Sequence, residues 1–313
     1  MSLTSVPPNV AWAIGGIFAV LALATAVTTA LRWLRPGLDL SELRARNRTW
    51  WGMAALFSIA MVLSPTVSLV FLGFVSFLAL KEYFSLIPTR RADRAVLAFA
   101  YLAIPVQFYW VGIAWYGMFV IFIPIYMFLL LPVPMLVIGE TQGFLRAVGT
   151  LHWGLMANVY SVSHAAFLLA LPPAGNPAAG GAGLLLYLVL LTEGNDVAQF
   201  LWGKALGRRR VIPRVSPNKT WEGLIGGVAT AVVLGLALAP WLTPLDGPHA
   251  LAAGLLIGLA GFAGDLTVSA LKRDLGIKDS GAMLPGHGGV LDRLDSLTYT
   301  APLFFHFVRY FYY

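Results

Sequence analysis

Charged residues and glycines crowd into the segment 269–297, SALKRDLGIKDSGAMLPGHGGVLDRLDSL, although the chain is mostly apolar. Asp292 and Asp295 are three residues apart, a spacing that places both on one face of a helix. Paired carboxylates suit Mg²⁺, which takes a few carboxylate oxygens together with substrate phosphates. Lys272 and Arg273 supply positive charge for the phosphates themselves. The segment therefore predicts metal-dependent phosphoryl or nucleotidyl transfer.

A surface network of salt bridges in a loop is the alternative for this segment. Its density of glycine favours a binding site, because glycine lets the backbone approach a ligand closely. Four of its glycines, Gly281, Gly286, Gly288 and Gly289, fall within nine residues. Upstream, Asp265, Ser269 and Lys272 share one helical face, so they should extend the same site.

A second polar group, TEGNDVAQ at 192–199, interrupts an apolar helix. Thr192, Asp196 and Gln199 are spaced i, i+4, i+7, so they lie on one face. An acid inside a spanning segment is costly and usually faces the bundle interior or a wet cavity. Polar packing between helices is the alternative, but two acids beside Asn195 favour a functional site.

A third group, SPNKTWEG at 216–223, reads as the start of a helix. Ser216 and Thr220 can cap a helix that begins near Trp221. A helix N-terminus beside Lys219 forms a natural phosphate cradle. We expect a cytosolic polyphosphate to bind here, whereas the arginines at 208–210 are typical of any cytoplasmic loop.

The elements that carry these groups are predicted to be transmembrane helices. The chain is 58% hydrophobic and 11% charged, against about 25% charged residues in soluble domains. Cysteine is absent, which excludes disulfides, thiolate chemistry and cysteine zinc sites. The fold class is therefore all-α, a polytopic integral membrane protein, with about ten spans of the usual length. The predicted spans are 10–32, 50–64, 66–86, 95–114, 116–138, 147–171, 182–203, 222–243, 249–271 and 296–313.

Ser64-Pro65 separates the second span from the third, so a re-entrant hairpin with nine crossings stays open. Basic and nearly uncharged loops alternate, which places both termini outside and the motif loops in the cytoplasm. The net charge of +7 then reflects these loops, and no nucleic-acid partner is expected. Nine of fourteen acids lie in the range from Glu193 to Asp295, which predicts a scaffold at 1–180 and a catalytic region at 181–313.

The pattern S-x-x-K-R-x4-K-D-x-G-x3-P-G-H-G-G-x-x-D-R-x-D at 269–295 resembles the signature of phosphatidate cytidylyltransferases, also called CDP-diacylglycerol synthases. S-P-x-K-T-W-E-G at 216–223 and G-D-L-x-x-S at 264–269 resemble the same family. The resemblance implies a bilayer-bound enzyme that condenses CTP with phosphatidate to CDP-diacylglycerol and pyrophosphate, with Mg²⁺. It leaves a second, monovalent cation and a homodimer open.

Carried over by motif position, the resemblance implies a role for each matching residue. The metal is expected at Asp265, Asp292 and Asp295, with Asp196 as a further acid. Catalysis is expected to use Lys272 with these aspartates. The nucleotide and its phosphates are expected at Ser216, Lys219, Thr220, Ser269, Arg273, Lys278 and His287.

One segment departs from the family pattern, roughly D-[ST]-x-A-Y. Here the sequence reads Asp196-Val197-Ala198-Gln199-Phe200, as in a divergent branch. Three alternatives stand beside this function. The first is a related CTP-dependent transferase acting on another lipid phosphate, or a polyprenol kinase-type relative. The second is a transporter or lipid-handling protein, and the third is a catalytically silent paralogue. Charge gathered on one side of the bilayer disfavours the transporter.

Overall fold

The computed structural model describes residues 6–35, 37 and 39–313. The helices in these ranges are α1 (Pro8–Leu34), α2 (Ser41–Leu63), α3 (Pro65–Leu86), α4 (Val96–Gly112), α5 (Tyr116–Ile138), α6 (144–170), α7 (Gly180–Leu206), α8 (Trp221–Leu242), α9 (Gly247–Asp274), α10 (Leu291–Leu294) and α11 (Leu297–Tyr312). In the same ranges β-pairing is limited to two isolated bridges, Arg210 with Thr220 and Leu284 with Gly288.

Seven helices of the described chain are long and apolar enough to cross a membrane: α1, α3, 93–112, α5, α7, α8 and α9. The protein is therefore an all-α polytopic membrane protein, as its composition predicts. The remaining predicted spans are also helical, in α2, α6 and α11, but they fall outside that set. The count of ten, or nine, stays a prediction.

Local sequence fixes several helix boundaries. Ser64 caps α3 by accepting a hydrogen bond from the Val67 amide at 3.1 Å, and Pro65 occupies the first turn, where its missing N–H costs nothing. The predicted break at Ser64-Pro65 is therefore a true helix boundary. The spans predicted at 10–32 and 50–64 imply a loop at 33–49. Helix α2 begins at Ser41, so Arg44, Arg46 and Arg48 lie on a helix, and the predicted loop is wrong from residue 41 onwards.

The core is densest around α7, which packs against α6, α8, α9 and α11. Its consecutive residues 184–188 are fully buried. Glycines allow these helices to approach closely. At Gly264 of α9 a side chain would collide with the backbone carbonyl of Asp295, just before α11. This close approach sets Asp265 beside Asp295.

Candidate active site

Acidic side chains from separate elements meet where α7 and α9 end and α8 and α11 begin. We call this region the motif end of the bundle. Asp196 comes from α7, Asp265 from α9, and Asp295 from the turn before α11. Burial raises the pKa of the Asp295 carboxyl, and the negative charges of Asp265 and Asp196 raise it further. The structure thus brings together three of the four predicted metal carboxylates.

Positive charge in this cluster comes from Lys219 and Arg293. The Lys219 Nζ lies 2.5 Å from Asp265 Oδ2 and donates a 2.9 Å hydrogen bond to Gln199 Oε1. It also lies 5.6 Å from the centre of the Phe262 ring. Lys219 therefore bridges α7 and α9 from the loop before α8. It is a cation within the acidic cluster, in reach of any phosphate bound there.

Thr220 caps α8, as predicted, by accepting a 3.1 Å hydrogen bond from the Gly223 amide. Ser216 does not act as a cap. Its backbone forms the preceding turn, donating to the Ile212 carbonyl at 3.0 Å. The expectation that both hydroxyls cap the helix holds for Thr220 alone.

Asp292, the fourth predicted metal ligand, has both carboxylate oxygens engaged in the protein. Oδ1 accepts from Lys272 Nζ at 2.7 Å, and Oδ2 accepts from the amides of Ser280 at 2.9 Å and Gly289 at 3.0 Å. Burial acts to raise the pKa of Asp292, but the Lys272 and backbone hydrogen bonds outweigh it and lower the pKa overall. Asp292 and Lys272 thus hold together the glycine-rich loop, residues 275–290, and the end of α9.

The other predicted residues lie around this loop. Ser269 Oγ donates to Asp265 Oδ1 at 3.2 Å. Arg273 is exposed and ties two loops together through the carbonyls of Val215 and Ile277, at 3.2 and 3.0 Å. Lys278 is exposed to solvent within the loop.

His287 lies against α2, where its ring meets that of Trp50 edge-on at 5.8 Å. Burial lowers the pKa of the His287 imidazole, and Arg293 lowers it further. Beside it, Thr49 Oγ1 donates to the Pro285 carbonyl at 2.7 Å. Helix α2 therefore helps to hold the glycine-rich loop.

Glu82 of α3 is a site residue that sequence reasoning missed. Its carboxylate accepts hydrogen bonds from the amides of Val290 at 2.8 Å and Leu291 at 3.1 Å, and from the Ser280 hydroxyl. The available signal was an acid at the end of an apolar helix, in LKEYF at 80–84. This signal does not indicate which residues Glu82 contacts, because the glycine-rich loop is about two hundred residues away in sequence.

Gln199, part of the departure from the family pattern, lies inside the site. It is 3% exposed, and its Oε1 accepts from Lys219 while its Nε2 is buried without a hydrogen-bond partner. Gly227 of α8 makes room for it, since a side chain there would collide with the Gln199 Cγ. Gln199, at which the sequence departs from the family pattern, is therefore in contact with Lys219, the predicted phosphate-binding lysine.

The acidic cluster fits a divalent cation. Asp196 Oδ1 is buried and has no hydrogen-bond partner. Four carboxyl groups, those of Glu193, Asp196, Asp265 and Asp295, lie near only two cations, Lys219 and Arg293. Carboxylate oxygens are also the ligands that Mg²⁺ takes. Within the described residues no three acids or histidines already form a metal-binding group, so binding would draw these side chains closer.

The motif residues and the helical fold define a class of membrane-bound nucleotidyltransferase. The Cytidylyltransferase family matches residues 44–311, so the chain belongs to this family. The resemblance drawn from the motifs is confirmed.

Two kinds of relative accompany this match. The chain is 47% identical to the uncharacterized protein YnbB of Escherichia coli K12 over 294 residues, 94% of this chain and 96% of that one. It is 43% identical over 132 residues to the phosphatidate cytidylyltransferase of Haemophilus influenzae, and 45% over 124 residues to that of Pseudomonas aeruginosa. These matches cover 41% and 39% of this chain, and 46% of each enzyme.

Proposed function

We propose that the protein transfers the cytidylyl group of CTP to phosphatidate, yielding CDP-diacylglycerol and pyrophosphate, at the cytoplasmic face of a bacterial-type membrane. One observation carries the proposal: the ion pair of Lys219 with Asp265 stands among acids from α7, α9 and the turn before α11. It joins a phosphate-binding cation to carboxylates suited to a metal. The phosphatidate cytidylyltransferase of Haemophilus influenzae, 43% identical over 132 residues, supports the same reading.

In the proposed reaction a phosphatidate oxygen forms a bond to the α-phosphorus of CTP. The bond from that phosphorus to the bridging oxygen breaks, and pyrophosphate leaves with the electron pair. No covalent enzyme intermediate is required, so the chain contributes positioning and charge neutralisation. Lys219 and the N-terminus of α8 would hold phosphate oxygens.

Asp196, Asp265 and Asp295 are the residues that would hold Mg²⁺. When bound, the ion supplies positive charge that offsets the charge developing on the phosphates. Asp292 has a different proposed part, because its oxygens are occupied by Lys272 and two amides. It would keep the glycine-rich loop in place beside the metal ligands.

The orientation follows from the positive-inside rule. Both termini would lie outside and the motif end in the cytoplasm, where CTP is available. Phosphatidate would enter laterally from the bilayer, leaving its acyl chains in lipid.

A second candidate, transfer to another lipid phosphate, is favoured by Gln199. Its unpartnered Nε2 gives the site a hydrogen-bond donor, and such a donor can select a different lipid headgroup.

One turnover assay decides among these functions. Purified protein in detergent is given Mg²⁺, each of CTP, dCTP, UTP and ATP, and several lipid phosphates, and pyrophosphate release is measured. We expect release with CTP and phosphatidate, and its loss with EDTA. Preference for another lipid phosphate would select the second candidate, and release that survives removal of metal would overturn the metal assignment. No release from any pair of substrates would favour a silent or lipid-handling paralogue.

A further inference from the structure

Glu82 lies at the motif end of α3, in a part of the chain that none of the recognised motifs covers. Its two carboxylate oxygens accept the Val290 and Leu291 amides and the Ser280 hydroxyl. These donors stand at the start and at the end of one short stretch, 280–291. The Glu82 side chain thus fastens both ends of the stretch 280–291, which leads into Asp292 and Asp295.

The loop is shaped around this carboxylate. At Gly289 a side chain would collide with the Glu82 carboxylate, and at Gly281 the nearest atom to an added Cβ is Glu82 Oε2, at 3.2 Å. A side chain at Gly289 would therefore displace the Glu82 carboxylate, and one at Gly281 would crowd it. Charge-assisted hydrogen bonds to backbone amides are about twice as strong as neutral ones.

Asp292 also holds this stretch, through the amides of Ser280 and Gly289. Ser280 is the shared point, since its hydroxyl donates to Glu82 and its amide donates to Asp292 at 2.9 Å. Helix α10, which follows, has only four residues, too few to hold its direction by its own hydrogen bonds. The direction in which Arg293 and Asp295 leave the loop is therefore fixed by these two carboxylates.

We propose that Glu82 is a positioning residue for the transfer reaction: it sets the glycine-rich loop, and through it Arg293 and Asp295, in the geometry that the acidic cluster needs. This inference rests on the proposed function for its effect on rate. Its effect on the loop is independent of any substrate.

The central test compares Glu82→Gln with Glu140→Gln. In Glu82→Gln the side chain keeps its size, but an NH₂ group, itself a donor, faces the backbone amide donors. Glu140 serves as the control because it is an exposed acid on the turn after α5. Hydrogen–deuterium exchange of peptides covering 280–295 should speed up in Glu82→Gln and stay at the wild-type rate in Glu140→Gln. Exchange in α7 and α9 should remain unchanged in both variants.

Kinetics supply the second readout. Glu82→Gln should lower kcat about a hundredfold, the scale of a misplacement of about 1 Å at a reacting centre, with KM for the lipid unchanged. Glu82→Asp, which keeps the charge, should recover part of the loss. Because Glu82 and Ser280 share one hydrogen bond, Glu82→Gln and Ser280→Ala should combine less than additively.

The outcomes separate this inference from the proposed function. If wild-type protein releases no pyrophosphate while Glu82→Gln still loosens 280–295, the function fails and the positioning role stands. Wild-type turnover together with unchanged exchange and unchanged kcat in Glu82→Gln would overturn the role of Glu82. A fall in kcat with unchanged exchange in 280–295 would overturn it as well.

Discussion

Lys219 and Asp265 neutralise each other across a distance of 2.5 Å, between the loop before α8 and helix α9. Sequence motifs assign the lysine to phosphate and the aspartate to metal. We therefore expect each residue to hold the other in place until a ligand binds. Binding of nucleotide and metal would exchange one internal ion pair for two external contacts.

This pairing predicts that CTP and Mg²⁺ bind interdependently. Lys219→Met should weaken CTP binding about tenfold or more, since a hydrogen bond to a charged group contributes about 1.5–3 kcal/mol. The same change should strengthen Mg²⁺ binding without nucleotide, because it frees Asp265. Titration calorimetry with each ligand alone measures both effects. Unchanged affinity for both ligands would contradict the exchange.

The two motif aspartates should behave differently when neutralised. Asp295→Asn removes a buried acid from a crowd of acids, so the protein should stay folded while turnover falls by orders of magnitude. Asp292→Asn leaves the Lys272 ammonium, whose side chain is 11% exposed, without its partner, which costs about 3–5 kcal/mol for a buried pair. Thermal unfolding in detergent beside the turnover assay distinguishes them. Equal stability of the two variants would refute the structural role of Asp292.

The lowered pKa of Asp292 also predicts a pH dependence of stability. A carboxyl whose pKa is lower in the folded state stabilises the protein above its unfolded pKa, about 3.9. That contribution is lost as the pH falls through the folded-state pKa. The melting temperature should therefore fall below pH about 4, and less steeply in Asp292→Asn than in wild type. Parallel curves for the two proteins would contradict the assignment.

Gln199 tests whether the departure from the family pattern matters. Gln199→Ala removes one of the two polar contacts of the Lys219 ammonium. We expect kcat/KM for CTP to fall about tenfold and the preference among lipid phosphates to shift. The matched control is Gln142→Ala, on an exposed turn, which should match wild type. If Gln199→Ala had the same lipid preference as wild type, the departure from the family pattern at Gln199 would have no effect on the choice of lipid.

Sequence reasoning predicts the helical fold and most members of the site. Hydropathy predicts the spans, and Thr220 marks the start of α8 because N-cap chemistry is local. The hydrogen bonds of Asp292 were not predicted, since the i, i+3 spacing with Asp295 carries no information about Lys272 and the Ser280 amide. Glu82 was missed because its partners come from a distant part of the chain. Contacts of this kind depend on how helices pack, which periodicity does not encode.

The hold of Glu82 on the glycine-rich loop has a consequence for biogenesis. Glu82 of α3 is synthesised about two hundred residues before Val290 and Leu291, whose amides donate hydrogen bonds to its carboxylate. The Glu82 carboxylate therefore lacks these hydrogen-bond donors until residues 280–291 have been synthesised. A chain arrested after α9 would be a membrane protein with most of its helices but no assembled site.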